Sequence, residues 1–248
     1  MSFSSEPNPK QSRIITTVLS PAVGLWLRSQ VEHVEALQVK IESGDRQILS
    51  GNIQRVFASA DRAIYQGLHL SHIQVAGENI RLNLGQVLKG KPVQLLEPIF
   101  IETELSLQES DLNASLQAPL LAQAVTDLVA TLLTTGLGDM QDELPLSSQS
   151  INLTNLQILV GVDQLTLSAG LISTSGTTTP FVIRTGLRLA SGHELQFEHP
   201  QWLTSLTAKR GLPLKDLDGF KLDLGSDVEI QTLSLVQGQL SCRGRIKV

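Results

Sequence analysis

The chain has a single cysteine, Cys242, which leaves it neither a disulfide framework nor a cysteine-based zinc site. Aromatic residues make up only 4% of the sequence and charged residues only 17%. Stacking on bases or sugars therefore has little to draw on. The 41% hydrophobic content is mostly Leu, Ile, Val and Ala, an aliphatic mass closer to what acyl chains need. Basic residues are missing from a long window: neither Lys, Arg nor His occurs between Lys91 and Arg184. That window holds ten acids, a net charge of −10 against −5 for the whole chain. A nucleic-acid partner needs clustered Lys and Arg to neutralise phosphates, so none is expected.

Short catalytic signatures are absent as well. There is no GxGxxG after a strand, and no GxxxxGKS/T, HExxH, GxSxG or CxxC. Among the histidines, His69 and His72 stand three apart on an expected strand, which places them on opposite faces. His193 and His199, with Glu194 and Glu198, flank another strand and are the only candidates for a hydrolytic pair. Glu102 and Glu104 share the solvent side of a strand, and Asp216, Asp218, Asp223 and Asp227 fall in turns, where Asp is common for backbone reasons. The expectation is a non-enzyme with no catalytic residue, no metal site and no cofactor.

Two stretches could be mistaken for membrane or export signals. The segment "IITTVLSPAVGLWL" (14–27) is uncharged and follows Lys10 and Arg13, yet Pro21 interrupts it and no small-x-small cleavage site follows. It is too short for a span, which needs about 20 apolar residues, and reads as an amphipathic or buried helix from 13 to about 31, kinked at Pro21. The expected location is cytoplasmic, or peripheral on the cytoplasmic side of a membrane, with export the alternative. Residues 1–12 read as a disordered tail and 13–248 as one domain, its halves 13–138 and 150–248 joined by the polar linker "DMQDELPLSSQS".

What the chain does have is alternation and one apolar helix. "VEALQVKIE" (34–42), "ILSGNIQRVFASADRAIY" (48–65), "LHLSHIQVAG" (68–77), "NIRLNLGQVL" (79–88) and "VQLLEPIFIETELSLQ" (93–108) carry the period of two expected of half-buried strands, with "GDRQ" as a turn. After 150 the strands return, interrupted by "PQWLTSLTAKRG", which reads as a short helix with Pro200 at its start and Gly211 past its end. Between the two groups of strands lies a long helix, capped by Asp111 and apolar to Leu133. Leu116, Leu120, Leu121, Ala124, Val125, Leu128, Val129, Leu132 and Leu133 cover most of its circumference, so it should be enclosed nearly all round. The fold class is α+β: a long curved antiparallel sheet wrapped around a long apolar helix, with an N-terminal helix. Side chains or acyl chains would fill the remaining space, and Val125→Trp should block lipid uptake if a groove exists.

Membrane contact is expected from Trp202, Leu203 and Leu206 with Lys209 and Arg210 on the short helix, and from Trp26 beside Arg28.

The order of these elements is similar to the LmeA-like phospholipid-binding family, in its cyanobacterial-type members. The similarity is carried by residues 34–84, by "SDLNASLQAPLLAQAVTDLV" and by the closing "FKLDLGSDVEIQTLSLVQGQLSCRGRIKV", and it covers roughly residues 20–248. It implies a tubular lipid-binding architecture, phospholipid binding or transfer at a membrane surface, and no turnover. The lipid contacts would come from Leu116, Leu120, Leu121, Ala124, Val125, Leu128, Val129 and Leu132, and the headgroup would sit near Arg184, Arg188 or Lys209. The competing reading is a structural or assembly protein that docks a protein partner through the same apolar surface.

Overall fold

The computed structural model describes residues 14–83, 86, 94–136, 152–172 and 176–248. The expected tail and the linker at 139–150 lie outside them. The described chain is mostly antiparallel sheet with a few helices, the α+β class read from the alternation. Helix α1 (Ile14–Gln30) leads into β1 (Ala36–Glu42), a short helix α2 (Asp45–Leu49), β2 (Asn52–Tyr65), β3 (Leu68–Arg81) and β4 (Phe100–Gln108). Helices α3 (Glu109–Ser115) and α4 (Pro119–Gly136) follow. Then come β5 (Asn152–Gly161), β6 (Gln164–Ile172), β7 (Thr178–Ser191), β8 (Glu194–Trp202), β9 (Leu212–Pro213), β10 (Lys221–Asp223), β11 (Val228–Val236) and β12 (Gln239–Lys247).

Two sheets result. The first runs β1-β2-β3-β4-β12-β11, and the second runs β10-β8-β7-β6-β5 with β9 added on β8. The last two strands of the chain therefore complete the first sheet: β12 pairs with β4 from Gln239↔Gln108 to Lys247↔Phe100. The division into halves 13–138 and 150–248 does not separate the sheets.

Local chemistry explains the boundaries that differ from the sequence reading. "GDRQ" begins α2, where Gly44 N–H donates to the Gln47 side chain at 3.2 Å, and is not a turn. The single long helix is broken at 116–118, because Pro119 has no N–H to continue the ladder and suits the first position of a new helix. Asp111 does not cap it; α3 starts at Glu109, and the Asp111 carboxylate accepts from Ser71 Oγ at 2.6 Å. Residues 200–211 are not a helix: β8 runs to Trp202, paired with Ile183 on one side and Leu212 on the other, and a loop follows. The β2–β3 connection is a two-residue turn with Gln66 at φ 51° and Gly67 at φ 76°, the left-handed pair that matches hairpin twist.

The long helix packs on one sheet face and is not wrapped by a sheet. Val125, Val129, Leu132 and Leu133, at helical spacing, are 0–7% exposed in a core with Ile158, Val160, Leu167, Phe181 and Ile183 of the second sheet. Each such side chain contributes about 1.5–3 kcal/mol when fully buried. The opposite side of α4 carries Gln123, Ala124, Asp127, Thr131 and Thr134, all exposed. Asp127 is thus on the wet side and accepts from Gln123 Nε2 at 2.8 Å.

Helix α3 is the joint between the sheets. On one side Ser71 Oγ of β3 holds Asp111, and Ser115 Oγ accepts from His69 N–H at 2.8 Å. On the other, Asn113 Nδ2 donates to Ile158 O at 2.7 Å and its Oδ1 accepts from Ile158 N–H at 2.8 Å. Glu109 accepts from Val160 N–H at 2.8 Å, so side chains take the hydrogen bonds that the β5 edge would otherwise offer another strand. Asn113→Ala orphans both backbone groups of Ile158, each worth about 1–3 kcal/mol when buried and less here at a half-buried site. We expect a loss of about 2 kcal/mol by urea unfolding, and a variant as stable as the parent would show that α3 does not couple the sheets.

Candidate functional site: an apolar cleft beneath the N-terminal helix

The first sheet presents two chemically different faces. In β1, Leu37, Val39 and Ile41 point one way and Gln38, Lys40 and Glu42 the other, and the register carries both sets across the sheet. The polar face is covered by ion pairs: Lys40 with Glu42 at 2.5 Å, Arg245 with Glu229 at 2.7 Å, and Arg55 with Glu78. The hydrogen bond from Lys40 holds the Glu42 carboxyl below its ordinary range. Exposed pairs of this kind contribute at most about 1 kcal/mol each and define a solvated surface. Phe57 lies on this face, with the Arg55 guanidinium 5.6 Å from its ring centroid.

Among the described residues the apolar face is incompletely covered. Helix α1 lies along β1, with Gly24 turned toward Val39. Between the helix and the sheet is a cleft of about 230 Å³ whose exposed lining is almost entirely apolar. Leu27, Val31 and Val34 close it from the helix side, and Leu37, Ala60, Ala63, Leu70 and Ile73 form its floor. Ala60 and Ala63 can both face the cleft because Arg62 between them is left-handed, at φ 47°, which breaks the strict alternation of β2. On the outer side of the same helix, Leu25 is 72% and Trp26 51% exposed.

The residues singled out in the sequence are distributed differently. Leu116, Val125, Val129 and Leu132 are buried among protein side chains, Leu121 and Leu128 lie half-buried at the margin of that core, and Ala124 faces solvent. The side chain of Leu120 lies outside the described residues. The contact surface of α4 is therefore occupied by the second sheet. Of the expected membrane contacts, Leu203 is 1% exposed, and Trp202 packs edge-on against Phe181 with ring centroids 5.2 Å apart. Both belong to protein packing, because β8 continues where a helix was expected. Leu206 is half-buried, and Lys209 and Arg210 are exposed on the loop.

The expected headgroup cations are engaged elsewhere. Arg184 donates to Ala208 O at 2.7 Å, and Arg188 pairs with Glu198 at 2.7 Å; neither lines the cleft. His193 and His199 stand at opposite ends of β8, with Glu194 held by Lys221 at 3.0 Å and Glu198 held by Arg188, so no pair forms. His72 sits 2.5 Å from Asp61, while His69 lies beside α3. Asp218 accepts from His199 N–H and Asp223 from Gly225 N–H, the backbone roles expected of turn aspartates. Among the described residues no group of three His, Cys, Asp or Glu side chains could hold a metal ion, and no helix is long and apolar enough to cross a membrane.

The cleft residues on β1, β2 and β3 were missed by the sequence reading. Their signal was present in the alternation: six strands with an apolar side and few helices to cover them.

Fold and cleft together define an α+β protein of two antiparallel sheets that leaves an apolar surface open beside its first helix. The chain belongs to the LmeA-like phospholipid-binding family, whose model matches residues 10–245, nearly its whole length. The family is described by what it binds. No curated protein matches the chain.

Proposed function

We propose that the protein is a non-enzymatic phospholipid carrier that holds acyl chain between α1 and the apolar face of the first sheet and exchanges lipid at a membrane surface. The observation that carries this reading is the cleft itself, whose lining exposes apolar surface almost alone. Its volume of about 230 Å³ is below the ~300–1,000 Å³ of ordinary ligand pockets, so it accommodates part of a lipid, as an open cleft for a flexible chain should. Leu25 and Trp26 stand exposed on the outer surface of the helix that roofs the cleft, with Arg28 in its last turn. An aromatic and a leucine beside a cation suit the boundary between acyl chains and headgroups.

Native mass spectrometry of gently purified protein, followed by extraction, should find phospholipid bound. A protein that is lipid-free and also ignores phospholipid vesicles would refute the reading. The double variant Leu25→Asp, Trp26→Asp should float with vesicles at least about tenfold less well, because two side chains worth up to about 1.5–3 kcal/mol each are taken off the interface. Unchanged flotation would remove α1 as the docking element.

A further inference from the structure

The polar face of the first sheet carries a second hollow, on the side away from the cleft. It is a groove of about 460 Å³ that crosses β1, β2, β3, β4 and β12, within the ~300–1,000 Å³ of ordinary ligand pockets. Register places Gln38, Ser59, Gln74, Glu104 and Arg243 in one row across those strands. The next row, two residues along, is Lys40, Phe57, Ala76 and Glu102. Ser59 and Ala76 carry short side chains and form the floor between longer neighbours. Charges around the groove are largely matched: Lys40 with Glu42, Arg55 with Glu78, Arg245 with Glu229 and His72 with Asp61. Inside it they are not. Among the described residues the side chains of Glu102, Glu104, Arg243, Gln38 and Ser59 have no hydrogen-bond or ion-pair partner, although Arg243 and Glu104 stand opposite each other in the register.

We propose that this groove binds a neutral sugar chain, an activity separate from lipid carriage and independent of it. The free groups are of both kinds: two carboxylates accept, a guanidinium donates, and the Gln38 amide and Ser59 hydroxyl do both. Vicinal hydroxyls supply the complement on one ligand, because each donates to a carboxylate and accepts from a guanidinium or amide. Phe57 and Ala76 add an apolar strip for the C–H face of a sugar ring. An anionic ligand such as a nucleic acid would meet two free carboxylates against one free cation. An extended peptide binds by adding main-chain hydrogen bonds at a sheet edge, whereas this groove lies on a face whose main chain is spent on neighbouring strands. From β1 to β12 is four strand spacings, about 19 Å at ~4.8 Å each, enough for more than one sugar ring.

The sugar is either free or the head of a glycolipid, and two measurements on the full-length protein separate these sources. Calorimetric titration with maltohexaose, cellohexaose and laminarihexaose reads free sugar. Flotation with phosphatidylcholine vesicles, with and without lactosylceramide, reads lipid-borne sugar. Saturable binding of at least one hexaose, or flotation raised by lactosylceramide, is expected. Glu104→Gln and Arg243→Met should each weaken that signal at least about tenfold, the scale of one lost hydrogen bond to a charged group. Ala76→Trp should abolish it by filling the floor. All three variants should keep the parent's melting temperature and its phospholipid adducts in native mass spectrometry, which a merely distorted sheet would not. No sugar signal from either source would overturn the proposal, and so would a signal that survives Ala76→Trp. Self-association that Ala76→Trp removes in the absence of sugar would assign the groove to a second copy of the chain and overturn it as well. Sugar binding by a protein that takes up no phospholipid would leave the groove standing while the carrier reading falls.

Discussion

Replacing Phe181 by alanine should lower stability by about 3–5 kcal/mol, the largest effect expected of any single truncation in the second sheet. Phe181 is fully buried on β7, packed edge-on against Trp202 and within the cluster that receives Val129, Leu132 and Leu133 from α4. Truncation removes the contact that orients the Trp202 ring and leaves a cavity between helix and sheet that neighbours on rigid strands can close only in part. Urea unfolding followed by tryptophan fluorescence checks this, with a red-shifted native emission as the accompanying sign that Trp202 has become wetter. A loss below about 1 kcal/mol would mean that α4 does not rest on a close-packed core. The same packing changes the expectation for Val125→Trp. Val125 is 7% exposed in that core, so the larger ring has no groove to enter and should destabilise by about 1–3 kcal/mol.

The sequence reading reached the strands because their period of two is a local signal that sheet burial enforces. It misjudged α4 because alanine and threonine do not declare which environment they occupy. Thr126 and Thr131 return their hydroxyls to the carbonyls of Ala122 and Asp127, each at 2.8 Å, and Ala124 has no more than a methyl group to expose. A helix that looked apolar on every side is thus wet along one of them. Pairing of β12 with β4 joins residues more than a hundred positions apart, as Gln239↔Gln108 shows, and no local pattern encodes that choice. Loop 203–211 looked helical from Pro200, Trp202 and Gly211, but the ladder of β8 to β7 and β9 prevails. The cleft was half legible. Its floor was read as amphipathic strand, yet which apolar face stays uncovered depends on where the helices settle, and that is a tertiary outcome.

Ala58→Trp should weaken phospholipid binding by more than about tenfold, equivalent to about 1.4 kcal/mol, while leaving the protein folded. Ala58 is half-buried on β2, opposite Val39 on one side and Val75 on the other, and it lines the cleft together with Val75. An indole built there occupies the space a chain would need, and open space lies beside it, so strain is limited. A cost within about 1 kcal/mol corresponds to a melting shift of about 2–4 °C in a chain of this size. The matching control is Phe57→Trp, the adjacent residue on the polar face, which places the same indole on the side where the ion pairs lie. Binding measured by native mass spectrometry at fixed lipid should fall for Ala58→Trp and hold for Phe57→Trp. Equal binding by both variants would separate the lipid from the first sheet altogether. The margin of α4, where Leu121 and Leu128 are half-buried, would then be the place to test next. A fall for both would mean that the sheet responds to bulk on either face, so that the loss reflects distortion and not occupancy of the cleft. The pair of substitutions therefore separates a filled site from a disturbed fold, which a single variant on an exposed apolar face cannot do.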